Sequence, residues 1–164
     1  MLQILATPGI HLPYGFLKFN VDAAFKDSSQ VAGIAIICRN DEGELIDGLS
    51  CRKPCSSALV GETYALLEAT NLANSMNDQN VIFETDSELL LKAVTNPSSV
   101  FWEISSCVQS IALGLHNLPS SSLEWVGRLA NQPADWIAKS CLSGTLPLNF
   151  VVNPPSALCP LFGC

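Results

Sequence analysis

Phe16-Leu-Lys-Phe-Asn-Val-Asp-Ala-Ala-Phe25 has the period-two pattern of a strand, with Phe16, Lys18, Asn20 and Asp22 on one face and Leu17, Phe19 and Val21 on the other. Asp22 therefore falls within a strand that reads as central to the fold. Strands disfavour Asp, and a buried carboxylate is costly unless it is paired or bound to a cation. On this stretch alone a second reading is open, in which Asp22 caps the turn through Asp27-Ser28-Ser29.

Working outward, Val31–Arg39 is a dense apolar strand and Asn40-Asp-Glu-Gly43 a tight turn, with Gly43 supplying a positive φ. Glu44–Ser50 returns as a third strand, which completes an antiparallel meander. Ser56 or Ser57 caps a helix over Ala58–Ser75, whose apolar stripe takes in Ala58, Ala65, Leu66, Ala69, Leu72 and Ala73. Glu62 lies on that stripe, either as a functional carboxylate or as an edge residue reaching solvent.

Asn80-Val-Ile-Phe-Glu-Thr-Asp86 is a strand entered from a helix, which predicts parallel pairing to the first strand by a right-handed crossover. Asp86 then stands at the carboxyl end of a parallel strand, where open α/β sheets place their sites. Ser87 is a fair cap for a short helix over Glu88–Thr95. Val100–Asn117 carries Ile104, Val108, Ile111 and Leu115 at helical spacing, with His116 a surface residue. Leu123–Val126 is a short last strand. Asn131 caps a final helix with Pro133 in its first turn; it contains Asp135 and fades near Ser143-Gly144. Residues 1–15 read as an irregular lead-in and 16–144 as one domain. The tail, 145–164, is apolar, uncharged and rich in proline: an extended segment lying on the body, or disorder.

The chain has 164 residues, 48% of them hydrophobic and 14% charged, enough to fill one core. A net charge of -7 argues against a protein whose main task is to grip phosphates. Seven cysteines show no C-x-x-C, and His11 and His116 have no ligand-like spacing to a Cys pair, so buried thiols in a reducing, intracellular setting (nucleus or cytoplasm) are expected. The N-terminus lacks a basic secretory signal, and no run reads as a membrane span.

The predicted order is β-β-β-α-β-α-α-β-α, and it brings Asp22, Glu62, Asp86 and Asp135 to one end of one sheet. Four such carboxylates repel unless divalent cations neutralise them. Hard oxygen donors without His or Cys suit Mg2+ or Mn2+. Two such ions are the standard device for in-line phosphoryl displacement: one activates a water, the other stabilises the leaving 3′ oxygen.

Five pieces in order carry a resemblance. They are Pro13-x-Gly15-x-x-Lys18-x-Asn20-Val21-Asp22-Ala23-Ala24; Gly33-Ile34 through Arg39-Asn40-Asp41-x-Gly43; Gly61-Glu62-x-x-Ala65; Glu84-Thr85-Asp86-Ser87; and Asn131-x-x-Ala134-Asp135-x-x-Ala138. Over roughly residues 13–142 the chain resembles the ribonuclease H family, specifically the plant ribonuclease H-like domains related to non-LTR retroelements. The resemblance implies an α/β fold with a five-stranded mixed sheet, three antiparallel then two parallel strands, flanked by helices. It implies that Asp22, Glu62, Asp86 and Asp135 hold two Mg2+, with Mn2+ a substitute, and that the RNA strand of an RNA–DNA hybrid is cut. RNA would be told from DNA by contacts to 2′-hydroxyls.

Asn131 and Arg128 are the candidates for substrate contact, Arg128 to a phosphate; a solvated loop arginine is its plainer reading. Two departures stand out. Many members of the family carry a His ten residues before the last Asp, and Trp125 stands there, unable to move a proton at neutral pH. Slow turnover is the expected result. No separate hybrid-binding domain or basic arm is seen, so substrate grip should be weak and salt-sensitive. A monomer is expected, with no membrane partner. The competing reading is a weakly active or inactive nucleic-acid or protein binding module, or a retroelement remnant, on the same fold.

Overall fold

The computed structural model describes residues 12–77 and 80–162; most of the expected lead-in, residues 1–11, lies outside them. Strands β1 (Leu17–Lys26), β2 (Val31–Arg39), β3 (Leu45–Pro54), β4 (Asn80–Thr85) and β5 (Ser120–Trp125) form one sheet in the order β3-β2-β1-β4-β5. The β1–β2 and β2–β3 pairs are antiparallel, and the β1–β4 and β4–β5 pairs are parallel. This is the mixed sheet that the sequence implied. The helices are α1 (Ala58–Ser75), α2 (Glu88–Thr95), α3 (Trp102–His116), α4 (Gln132–Ser143) and the single turn α5 (Cys159–Phe162).

Alternation along β1 and β2 decides the layers. Leu17, Phe19, Val21, Ile34, Ile36 and Cys38 face α1 and build the larger core with Ala65, Leu66, Ala69 and Ala73. Ala35 and Ile37, on the opposite face, meet Ala134, Ile137 and Ala138 of α4. A third cluster joins Ala32 and Val60 to Ala93, Ile104 and Val108. Among the described residues no helix is long and apolar enough to cross a membrane.

Several boundaries move from their predicted places. β3 runs on to Pro54 because Val31 to Ile34 keep pairing with it, and β5 starts at Ser120 because its backbone pairs with Asn80. Ladder hydrogen bonds extend a strand wherever a partner is present, whatever the side chains. Ser57 is the cap of α1, accepting from the Val60 N–H. Ala58 is exposed, so the stripe of α1 begins later than predicted, and Glu62 stands at its edge, half-buried. Gly43 adopts φ +84° in the β2–β3 turn, as predicted. The tail is neither extended nor loose from Thr145 to Phe162: it packs on the α4 side, burying Phe150 and Leu158 beside Ala35 and Ile37.

Gly33 shows how tightly α4 is laid on β2. A Cβ there would stand 2.4 Å from the Ala138 carbonyl and 2.7 Å from the Leu142 N–H nitrogen, both backbone atoms that cannot swing aside. Gly33→Ala should therefore destabilise the fold by about 3 kcal/mol, the upper end of overpacking costs, and lower Tm by roughly 10 °C. Thermal unfolding of the variant checks this; an unchanged Tm would mean that α4 is not seated on the sheet this closely.

Candidate active site

The site is made where two strands part. The β1–β4 ladder ends at the Val21–Thr85 pair, and the β4–β5 ladder at Thr85–Trp125. The next residues on β1 and β4 are Asp22 and Asp86. β1 itself continues to Lys26 against β2, so Asp22 lies mid-strand and does not cap the turn at Asp27. It is buried, and one of its carboxylate oxygens accepts the Ala23 N–H at 2.8 Å. Glu62, on the second turn of α1, and Asp135, near the start of α4, approach from opposite faces of the sheet.

Burial, first, and then the charges of Asp86, Asp135 and Glu62 push the Asp22 carboxyl up to about 7 from its ordinary 3.8; only the Ala23 N–H opposes them. Burial also raises Glu62, with Asp86 adding to it and a Ser87 hydrogen bond and the Arg128 charge opposing. Asp86 is raised by burial and by Asp135, against Arg128 and a hydrogen bond from Asn131. The four predicted carboxylates thus share one electrostatic neighbourhood, and exposed Arg128 stands close enough to act on two of them.

They do not close into a ready-made ligand cage: among the described residues no three His, Cys, Asp or Glu groups stand close enough together to hold an ion. Each carboxylate has a donor of its own beside it. Asp135 takes Lys139 at 2.7 Å, Glu62 takes Ser87, Asp86 takes Asn131, and Asp22 takes the Ala23 N–H. In kind the set still fits a hard divalent cation: all donors are carboxylate oxygens, and Asp22 carries an uncompensated electrostatic load that such an ion would remove.

Asn131, expected to touch substrate, is fully buried. Nor does its side chain cap α4. Its amide nitrogen donates to the Val21 carbonyl at 2.9 Å, and its oxygen accepts from Asn20 at 3.3 Å. The reason is the 3-10 turn Arg128–Asn131, which dips the chain under the sheet end before α4 begins. Trp125 is 49% exposed, and its indole N–H donates to the Asp86 carbonyl at 3.1 Å. Glu84, Lys18 and Asn20 went unassigned in the sequence reading, although all are buried beside the site. Period-two spacing was the available signal, since each shares a strand face with Asp22 or Asp86.

Against known proteins, a family model described as reverse transcriptase-like matches residues 20–141, a span that holds all four carboxylates. The chain belongs to the reverse transcriptase-like family. Among solved structures, this reverse transcriptase-like chain is similar to RNase H1 from the halophilic archaeon Halobacterium salinarum NRC-1 (TM-score 0.73, 18% identity, covering 79% of this chain and 98% of that one). It is also similar to LC11-RNase H1, isolated from compost by a metagenomic approach (TM-score 0.72, 19% identity, 81% and 99%). The same LC11 protein solved with an RNA/DNA hybrid matches at TM-score 0.70 and 18% identity, covering 80% and 99%. No curated protein matches in sequence. The RNase H-like fold expected from the sequence is therefore the fold of this family member.

The raised Asp22 has a consequence for stability. Between about 4 and 7 the folded protein keeps a proton that the unfolded chain gives up, so stabilisation present at low pH is lost as pH rises through about 7. In EDTA the protein should melt several degrees lower at pH 8 than at pH 5.5. Asp22→Asn should flatten most of that slope and raise Tm at pH 8, while Glu62 and Asp86 leave a remnant. Parallel melting curves for wild type and variant across this range would contradict the assignment of Asp22.

Proposed function

We propose that this chain is a metal-dependent ribonuclease H, cutting the RNA strand of RNA–DNA hybrids and leaving a 3′ hydroxyl and a 5′ phosphate. What supports it most is the end of the β1–β4 ladder, which sets Asp22 and Asp86 side by side with Glu62 and Asp135 facing them. The RNase H-like fold supports it too, and one structure of that fold was solved with an RNA/DNA hybrid. Asp22, Glu62, Asp86 and Asp135 would hold two Mg2+, or Mn2+ in their place. When bound, such ions supply a nucleophilic water and neutralise charge on the departing 3′ oxygen.

The chain's own part is positional and electrostatic. Asp22, fixed by the Ala23 N–H, cannot swing freely, which defines one wall of the centre. Arg128, exposed beside Glu62 and Asp86, would meet a non-bridging phosphate oxygen. Trp125 offers no proton to the leaving group, so this site works without general acid–base help from that position.

A second reading is a binding module or retroelement remnant that no longer cuts. Trp125 favours it, since an aromatic ring stands where a proton carrier would serve catalysis.

A labelled hybrid incubated with Mg2+, with Mn2+ and with EDTA, beside Asp22→Asn, separates the readings. Metal-dependent cutting of the RNA strand, lost in the folded variant, is the expected outcome. Equal cutting by Asp22→Asn would overturn the site, and hybrid binding without cutting in either metal would favour the second reading. Trp125→His is expected to raise kcat by about tenfold or more; an unchanged kcat would show that proton transfer at this position does not limit turnover.

A further inference from the structure

Under the carboxylates lies a set of buried polar side chains. Asn20 pairs in register with Glu84 across the β1–β4 ladder. Lys18 is 9% exposed, Glu84 1%, and Asn20 and Asn131 0%. Their bonds form one connected relay. Glu84 Oε1 stands 2.9 Å from Lys18 Nζ, and Glu84 Oε2 accepts from Asn20 Nδ2 at 2.8 Å. Asn20 Oδ1 accepts from Arg39 Nη2 at 2.6 Å, and Asn20 Nδ2 reaches Asn131 Oδ1 at 3.3 Å. Asn131 then donates to the Val21 carbonyl at 2.9 Å, and its amide lies near enough to the Asp86 carboxyl to lower its proton affinity.

Packing alone does not call for this. The neighbouring strand meets α4 with Ala35 and Ile37, and apolar residues would serve on β1 as well. A buried carboxylate with two cations is costly to desolvate, and apolar replacements of such groups are often neutral or stabilising. The relay instead ends on the backbones that carry the functional carboxylates. Val21 precedes Asp22, Glu84 lies two before Asp86 on the same strand face, and Asn131 leads into the first turn of α4 with Asp135. Directional bonds fix those three backbones relative to one another in a way that apolar contacts, which tolerate sliding, do not.

We propose that Asn20, Glu84 and Asn131 are positioning residues: their buried relay sets where Asp86 and Asp135 stand relative to Asp22, and so sets the centre's affinity for divalent cations. The inference rests on the reading of these carboxylates as a metal centre.

The test measures Mn2+ binding by calorimetry, with hybrid kcat and KM and thermal unfolding alongside. The proteins are wild type, Asp22→Asn, Asn131→Ala, and the apolar triple variant Lys18→Leu/Asn20→Leu/Glu84→Leu. Asn131→Ala keeps the Lys18–Glu84 pair intact should the triple variant fail to fold. The expected result is Mn2+ affinity weakened about 10- to 100-fold in the folded relay variants, as for groups that orient metal ligands. kcat should fall in parallel while KM for hybrid shifts less than twofold. Wild-type Mn2+ affinity in folded Asn131→Ala, whatever its Tm, would overturn the relay and leave the metal reading intact. Wild type that binds no Mn2+, or binds it no better than Asp22→Asn, would overturn the metal reading and the relay with it.

Discussion

Strand β1 lies in the middle of the sheet with helices on both sides, yet one of its faces is polar. Leu17, Phe19 and Val21 satisfy the α1 side by simple burial. Lys18, Asn20 and Asp22 on the other side cannot be left unpaired under α4. Much of the molecule answers that constraint. Glu84 comes from β4, Arg39 from the end of β2 and Asn131 from the turn before α4, and together they satisfy the lower part of the face. Asp22 is left at the top with a single backbone donor.

The same constraint makes the centre acidic and under tension. Hydrogen bonds to the carboxylates lower their proton affinity, while burial and mutual repulsion raise it, and for Asp22, Glu62 and Asp86 the second pair of effects wins. A cluster in that condition costs stability in the empty fold and gains it back by binding positive charge. The Lys18–Glu84 pair differs, because the opposing charge is already built in. Few cations offset the charge of the cluster: Lys139 pairs with Asp135, and Arg128 acts on Glu62 and Asp86.

The α4 side also explains the tail. Ala35 and Ile37 need more cover than one helix of small residues can give, and Phe150 and Leu158 supply it. Phe162, at the tail's end, lies under the Arg39 guanidinium, 5.9 Å from its ring centroid. A segment that carries no charge and many prolines thus closes the second core and covers the far end of the polar network.

Taken alone, the sequence determined the order of the main elements and singled out four carboxylates. These depend on local periodicity, on breakers such as Gly43 and Pro133, and on acidic residues at places where strand and helix disfavour them. The tertiary structure alone decided what each buried polar group touches. Asn20 meets Glu84 from 64 residues away and Asn131 meets Val21 from 110, pairings that no local pattern encodes. It moved Asn131 from the substrate face to the interior, left Trp125 half in solvent, and set Glu62 at the edge of its stripe. Period and spacing say which way a side chain points along its own element; only packing between elements says what is waiting there.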